Sequence, residues 1–146
     1  MVPKRKPRVF LDSNVIFSGL YSPRGSPALI LERFIAGDIS VVVSQQVLEE
    51  VVRTIRKKLP ESLPVLKRLL ISTPPEVTPD PPLEAIKRRN KKLSIADAAI
   101  LEAAITARPD YFITGDNHFL GPPRPVEDTY LHIVTPAEFL KILKQM

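Results

Sequence analysis

The residues of this chain whose types and spacing could do chemistry are acids standing where apolar runs end. Asp12 closes the apolar run of "RVFLDSNVIFSGL", with Asn14 two places further on. Glu49 and Glu50 follow "ISVVVS", Asp97 lies early in "SIADAAILEAAITA", and Asp116 comes one glycine after "YFIT". If the apolar runs are parallel strands, these carboxylates leave the sheet at one edge, beyond the strands' carboxyl ends, where open α/β sheets build their sites. Three or four carboxylates meeting there repel one another and call for a cation. With no cysteine and two histidines in the chain, oxygen ligation suits Mg²⁺ or Mn²⁺ better than Zn²⁺.

Each acid also has a purely structural reading. Asp12 could cap a following helix or turn. Ser94 and Asp97 have the Ser-x-x-acid spacing of a capping box. "TGDN" at 114–117 reads as a plain turn, and Glu49 and Glu50 as charges flanking a helix. Helical phase does not choose between those two, since both lie at the margin of the apolar face. What favours chemistry is the conjunction of four acids at element boundaries on one side.

The elements that must position them read as follows. "VFL" at 9–11 and "ISVVVS" at 39–44 are short buried strands, the second rich in β-branched residues. A helix is expected from about Pro27 to Ala36, with Ser26 as N-cap and Gly37 past its end. Val47, Leu48, Val51, Val52, Ile55 and Leu59 mark a helix over 45–59, and leucines mark another over 61–70. "STPPEVTPDPP" is a crossing loop with room for a short strand near Val77, because proline locks φ and removes donors. A helix starts at Leu83 and carries "AIKRRNKK"; the 94–107 segment is a buried helix. "YFIT" and "HIVT" are strands, and Pro136 opens a terminal helix to about Leu143. The alternation predicts an α/β domain with a central, mainly parallel sheet of four to five strands flanked by helices.

The bulk numbers fit one domain able to bury a core: 146 residues, 44% hydrophobic and 25% charged. No run approaches a membrane span, and "MVPKRKPRVF" lacks the apolar segment of a signal peptide, so a cytoplasmic location is expected. The net charge is +5, carried in basic runs at Lys4–Arg8, Arg53–Lys58 and Lys87–Lys92. That pattern favours a polyanion, RNA or DNA, over a membrane, since no basic run is joined to an apolar stripe.

"VFLDSNVIFSGL", "SQQVLEEVV", "SIADAAILEAA" and "YFITGDNHFL" resemble, in order and spacing, the four acidic motifs of the PIN-domain family, closest to its VapC-like toxin branch. The resemblance covers nearly the whole chain, including "HIVTPAEFL", and implies a single nuclease domain over 1–146 with a basic segment at 1–8. It implies a Mg²⁺- or Mn²⁺-dependent endoribonuclease acting on single-stranded RNA. Asp12, Glu50, Asp97 and Asp116 match the family's acids, the three aspartates as metal ligands. Asn14, Thr114 and Asn117 match polar positions lining the pocket. Where many relatives have a further aspartate this chain has His118, which could still bind a metal or, when protonated, a phosphate but brings no fixed negative charge. It reads first as a loop residue and puts a second metal ion in doubt. Phe17, Tyr21 and Phe119 lie near the motifs and could stack on bases, with packing the competing role. An antitoxin partner and a homodimer are implied by the resemblance alone. Two other classes stay open: a binding module with a decayed metal site, and a haloacid-dehalogenase-type phosphatase, which Asn14 disfavours because it replaces that family's second acid.

Overall fold

Three consecutive residues with no exposure at all, Val9, Phe10 and Leu11, form the heart of strand β1 (Arg8–Leu11). Successive strand side chains point to opposite faces, so a strand buried at every position must be covered on both. In the computed structural model, which describes residues 5–89, 93–121 and 131–146, β1 is the centre of a five-stranded sheet flanked by helices. The other strands are β2 (Ser40–Ser44), β3 (Glu76–Thr78), β4 (Tyr111–Ile113) and β5 (Ile133–Val134). The order is β3-β2-β1-β4-β5 and every pairing is parallel. Val9 pairs with Val41 on one side and Tyr111 on the other.

That order has a consequence for the site. From β1 the chain builds outward through β2 and β3, then returns to lay β4 and β5 on β1's other side. The strand order reverses between β1 and β4, which opens a crevice at their carboxyl ends. Asp12 and Thr114 are the first residues past those two ends.

Eight helices are described: α1 (Ser13–Tyr21), α2 (Ser26–Ile35), α3 (Gln45–Lys58), α4 (Leu63–Ser72), α5 (Leu83–Arg89), α6 (Ile95–Ala107), α7 (Asn117–Leu120) and α8 (Pro136–Lys144). The expected elements are present, with differences at their ends. Of the helix or turn that Asp12 could cap, the residues after it form a full helix, α1. Ser26 is the first helical residue of α2, not its cap; Gly25 caps without a side chain, and Gly37, at φ 85°, closes the far end. Residues 60–62 form a 3-10 turn that leads into α4. The strand expected near Val77 is the edge strand β3, where the Arg8 guanidinium meets Glu76. Asn90, Lys91 and Lys92, the end of the expected "AIKRRNKK" helix, lie outside the described residues, as does Lys4.

The core is apolar and continuous across the sheet. Phe10 meets Phe112 edge-on at 5.4 Å between ring centres, and Phe112 meets Phe119 at 5.2 Å. Phe119 is therefore fully buried core rather than a platform for bases. Phe17 and Tyr21 stack on each other at 5.9 Å, and Tyr21 is 65% exposed. No helix among the described residues is long and apolar enough to cross a membrane.

α1 and α2 approach so closely that Gly19 is required between them. A methyl group there would lie 2.6 Å from Leu31 Cδ1 and 3.0 Å from the Pro27 carbonyl oxygen. Alanine's helix propensity favours Gly19→Ala by about 1 kcal/mol, but crowding a packed interface costs about 1–3 kcal/mol. Because Leu31 is itself buried, the overlap wins. Urea unfolding should show Gly19→Ala less stable than wild type by about 1 kcal/mol; a gain in stability would mean that α2 slides freely on α1.

Candidate metal centre

Asp12 ends β1 and caps α1. Its backbone N–H continues the β1–β4 ladder by donating to the Ile113 carbonyl at 3.1 Å, which fixes where its side chain starts. The carboxylate is almost fully buried, and its oxygens are both engaged. Oδ1 accepts from the Ser13 N–H at 2.8 Å; Oδ2 accepts from the Thr114 hydroxyl at 2.7 Å and from Asn14 Nδ2 at 3.0 Å.

Thr114 and Asn14 do more than hold Asp12. The Thr114 hydroxyl also accepts from the Asp116 N–H at 3.0 Å, and Asn14 Oδ1 accepts from the Gly115 N–H at 2.9 Å. The loop after β4 is thus laced to the end of β1, and Asp116 is set in place by the group that binds Asp12. Asp116 in turn caps α7, its Oδ1 accepting from the His118 N–H at 2.9 Å.

Glu50 projects into the same crevice from α3, where Oε2 accepts from the Ser13 hydroxyl at 2.9 Å. Gln46, one turn earlier, donates to Glu50 Oε1 at 3.3 Å and to the Ala96 carbonyl at 3.0 Å, tying α3 to the start of α6. Glu49 points elsewhere: it is exposed and takes a hydrogen bond from Gln45. Asp97 sits in the first turn of α6. Ser94 caps that helix by accepting from the Asp97 N–H at 3.1 Å. The Asp97 carboxylate, however, turns to His118, with Oδ2 2.9 Å from Nδ1. The capping box is half formed because its acid is used elsewhere.

Asp97, Asp116 and His118 each place one potential ligand atom within 4.8 Å of the others. Asp12 lies behind this group, close enough to feel Asp116 and Glu50 as charges. Asn117 is exposed at the first position of α7. Ser13 and Gln46, as orienting groups, carry no signal in the sequence; His118, open there between a loop residue and a ligand, lies beside Asp97 and Asp116.

The electrostatics fit a cation. Burial pushes the Asp12 carboxyl up from 3.8 to about 6; hydrogen bonds from Thr114 and Ser13 oppose the rise, and the charges of Asp116 and Glu50 add to it. His118 is pushed upward by its bond to Asp97 and then by the charge of Asp116. Hard oxygen donors with one imidazole, beside a buried acid that resists ionising, make a donor set suited to a divalent ion.

Between pH 4 and 6 the folded Asp12 binds a proton that the unfolded chain has already released, so this group's contribution to stability falls as pH rises through that window. The gap corresponds to about 3 kcal/mol. In EDTA, the unfolding free energy of Asp12→Asn relative to wild type should therefore shift in the variant's favour by about 2–3 kcal/mol from pH 4 to pH 7.5. A pH-independent difference would mean that Asp12 ionises near the ordinary carboxylate value.

The fold agrees with what similar proteins show. Residues 8–118 match the family model for the PIN domain. The crystal structure of PAE2754 from Pyrobaculum aerophilum superimposes with a TM-score of 0.66, at 18% identity, over 96% of this chain and 97% of that one. VapBC2 from Rickettsia felis, solved bound to a DNA fragment from its promoter, gives 0.60 at 15% identity over 88% of this chain and 98% of that one. No curated protein sequence matches this chain. At such identities the two structures establish a shared fold, and the family model shows the family. With most of its length and Asp12, Glu50, Asp97 and Asp116 inside that match, the chain belongs to the PIN-domain family.

Proposed function

We propose that this protein is a metal-dependent endoribonuclease that cleaves single-stranded RNA, the toxin half of a toxin-antitoxin pair, working with Mg²⁺ or Mn²⁺. The observation that carries the reading is the acidic crevice at the β1–β4 switch point. There Asp97 and Asp116 face His118 within 4.8 Å, and the buried Asp12 and the half-buried Glu50 stand behind them.

Asp12, Asp97 and Asp116 hold the divalent ion in this reading, with Glu50 completing the cluster directly or through water. A bound ion supplies charge neutralisation on the scissile phosphate and a more acidic water. The chain's own groups do the positioning. Thr114 and Asn14 each donate to Asp12 Oδ2 and keep it pointed, and Asn14 is itself held by the Gly115 N–H. Ser13 and Gln46 hold both Glu50 oxygens, leaving that carboxylate oriented to accept the proton of an attacking water. Asn117, exposed beside Asp116, is placed to touch substrate.

Arg53, Arg56, Lys57 and Lys58 extend along α3 beyond Glu50 and are all exposed. Arg5 and Arg89, by contrast, engage Asp110 and Glu102. The α3 run is thus the better track for a phosphate backbone, giving salt-sensitive affinity with little sequence information. The likeness to VapBC2, a toxin-antitoxin assembly, supports an antitoxin partner; a homodimer follows from the family resemblance.

Cleavage of a labelled single-stranded RNA should require Mg²⁺ or Mn²⁺ and stop in EDTA. Asp116→Asn should lower the rate at least about 100-fold, the loss expected from several kcal/mol of transition-state charge stabilisation. Asparagine still caps α7, so the variant should fold normally. Metal-independent RNA binding without cleavage by the wild type would instead identify a binding module.

A further inference from the structure

His118 occupies the place where the resemblance led us to expect a carboxylate, and its surroundings are not those of a loop residue. Its Nδ1 lies 2.9 Å from Asp97 Oδ2 and 3.6 Å from Asp116 Oδ1. Two carboxylates from different elements, α6 and the loop before α7, thus converge on one imidazole nitrogen. We infer that His118 is a nitrogen ligand of the divalent ion, completing a mixed Asp97–Asp116–His118 site that prefers Mn²⁺ to Mg²⁺.

Three features carry this. The first is spacing. Ligands held at about 2.1 Å in an octahedral shell stand roughly 3 Å from adjacent ones. The Asp97 oxygen stands at 2.9 Å from the imidazole nitrogen, and the Asp116 oxygen, at 3.6 Å, needs only a small side-chain adjustment to join it. The second is anchoring. His118 is tied by its backbone N–H to Asp116 Oδ1, and the next residue, Phe119, is fully buried against Phe112. The short helix is therefore fixed while the His118 side chain stays 69% exposed, which leaves a path for an ion to enter from solvent. The third is donor chemistry. Mg²⁺ favours oxygen and retains its waters, whereas imidazole is a good donor for the transition metals, and Mn²⁺ accepts oxygen and nitrogen together. Replacing a carboxylate by imidazole also removes one negative charge, which weakens the hold on the harder ion more than on the softer one. A simple ion pair between His118 and Asp97 is the competing account of the same distances.

The inference rests on the metal-dependent reading above, and the experiment separates the two. Mn²⁺ and Mg²⁺ are titrated in competition into the full-length protein at pH 7.5, with bound Mn²⁺ followed by electron paramagnetic resonance. Electron spin-echo modulation then reports whether ¹⁴N is bonded to the ion. The wild type should bind Mn²⁺ at least about ten-fold more tightly than Mg²⁺ and show ¹⁴N modulation. His118→Ala should lose the modulation and about ten-fold in Mn²⁺ affinity with little change for Mg²⁺. His118→Asp should lose the modulation and narrow the preference between the ions. Tight Mn²⁺ binding without ¹⁴N modulation in the wild type would overturn the ligand role and leave metal dependence standing. Failure of the wild type to bind either ion would overturn both.

Discussion

The hydrogen bond from the Thr114 hydroxyl to the Asp12 carboxylate is the contact on which the rest of the site depends. Placing a carboxylate in a buried position costs free energy unless its oxygens are satisfied, and here the satisfying groups come from two neighbouring strands. Asp12 belongs to the end of β1 and Thr114 to the end of β4, 102 residues later. The bond therefore joins the two halves of the sheet at the point where strand order reverses. Because the same hydroxyl accepts from the Asp116 N–H, the position of the next acid follows from the satisfaction of the first. A local need, the solvation of one buried charge, becomes a geometric rule for the whole crevice.

That economy explains why Asp12 can be both cap and candidate ligand. The structural and functional readings of this residue are not rivals: it ends β1, opens α1 and still presents its carboxylate to the crevice. Asp116 behaves in the same way, capping α7 while facing His118. Asp97 shows the limit of such sharing. Its backbone serves the Ser94 cap, but its side chain leaves the capping box for His118. The helix keeps one half of a local stabilising motif and gives up the other for a contact 21 residues away, the kind of local exception expected at a functional site.

Much of this was legible because the signals are local. The run Val41–Val43 and the apolar α6 segment leave few alternatives to a buried strand and a buried helix, and a mainly parallel sheet of four to five strands follows from the alternation of such segments. The acids were legible as a set because strand ends in a parallel sheet share one edge. What escaped depends on partners distant in sequence. Asp12 reads as the cap of either a helix or a turn, and the local sequence does not choose; a helix, α1, forms because Val15 and Ile16 bury against the core and Gly19 lets α2 pack close. The choice of Glu50 over Glu49 turns on Ser13, a residue of another helix, and no periodicity within α3 contains it. Phe119 lies beside a motif yet packs on Phe112, so proximity in sequence misleads there.

His118 is the hardest case, and the reason is physical. A histidine after an Asp-Asn pair in a turn-like stretch carries no periodicity and no charge fixed at neutral pH, so its surroundings alone decide what it does. Those surroundings are assembled from α6, which approaches through the Gln46 bridge to Ala96, and from the loop after β4, which Asn14 and Thr114 lace to β1. Remove any of these ties and the spacing between Asp97 and His118 is no longer set. The chemistry of the outer face of this crevice is thus specified less by the residues that line it than by the hydrogen bonds of the layer beneath. That inner layer begins with the one carboxylate that the end of β1 carries into the protein.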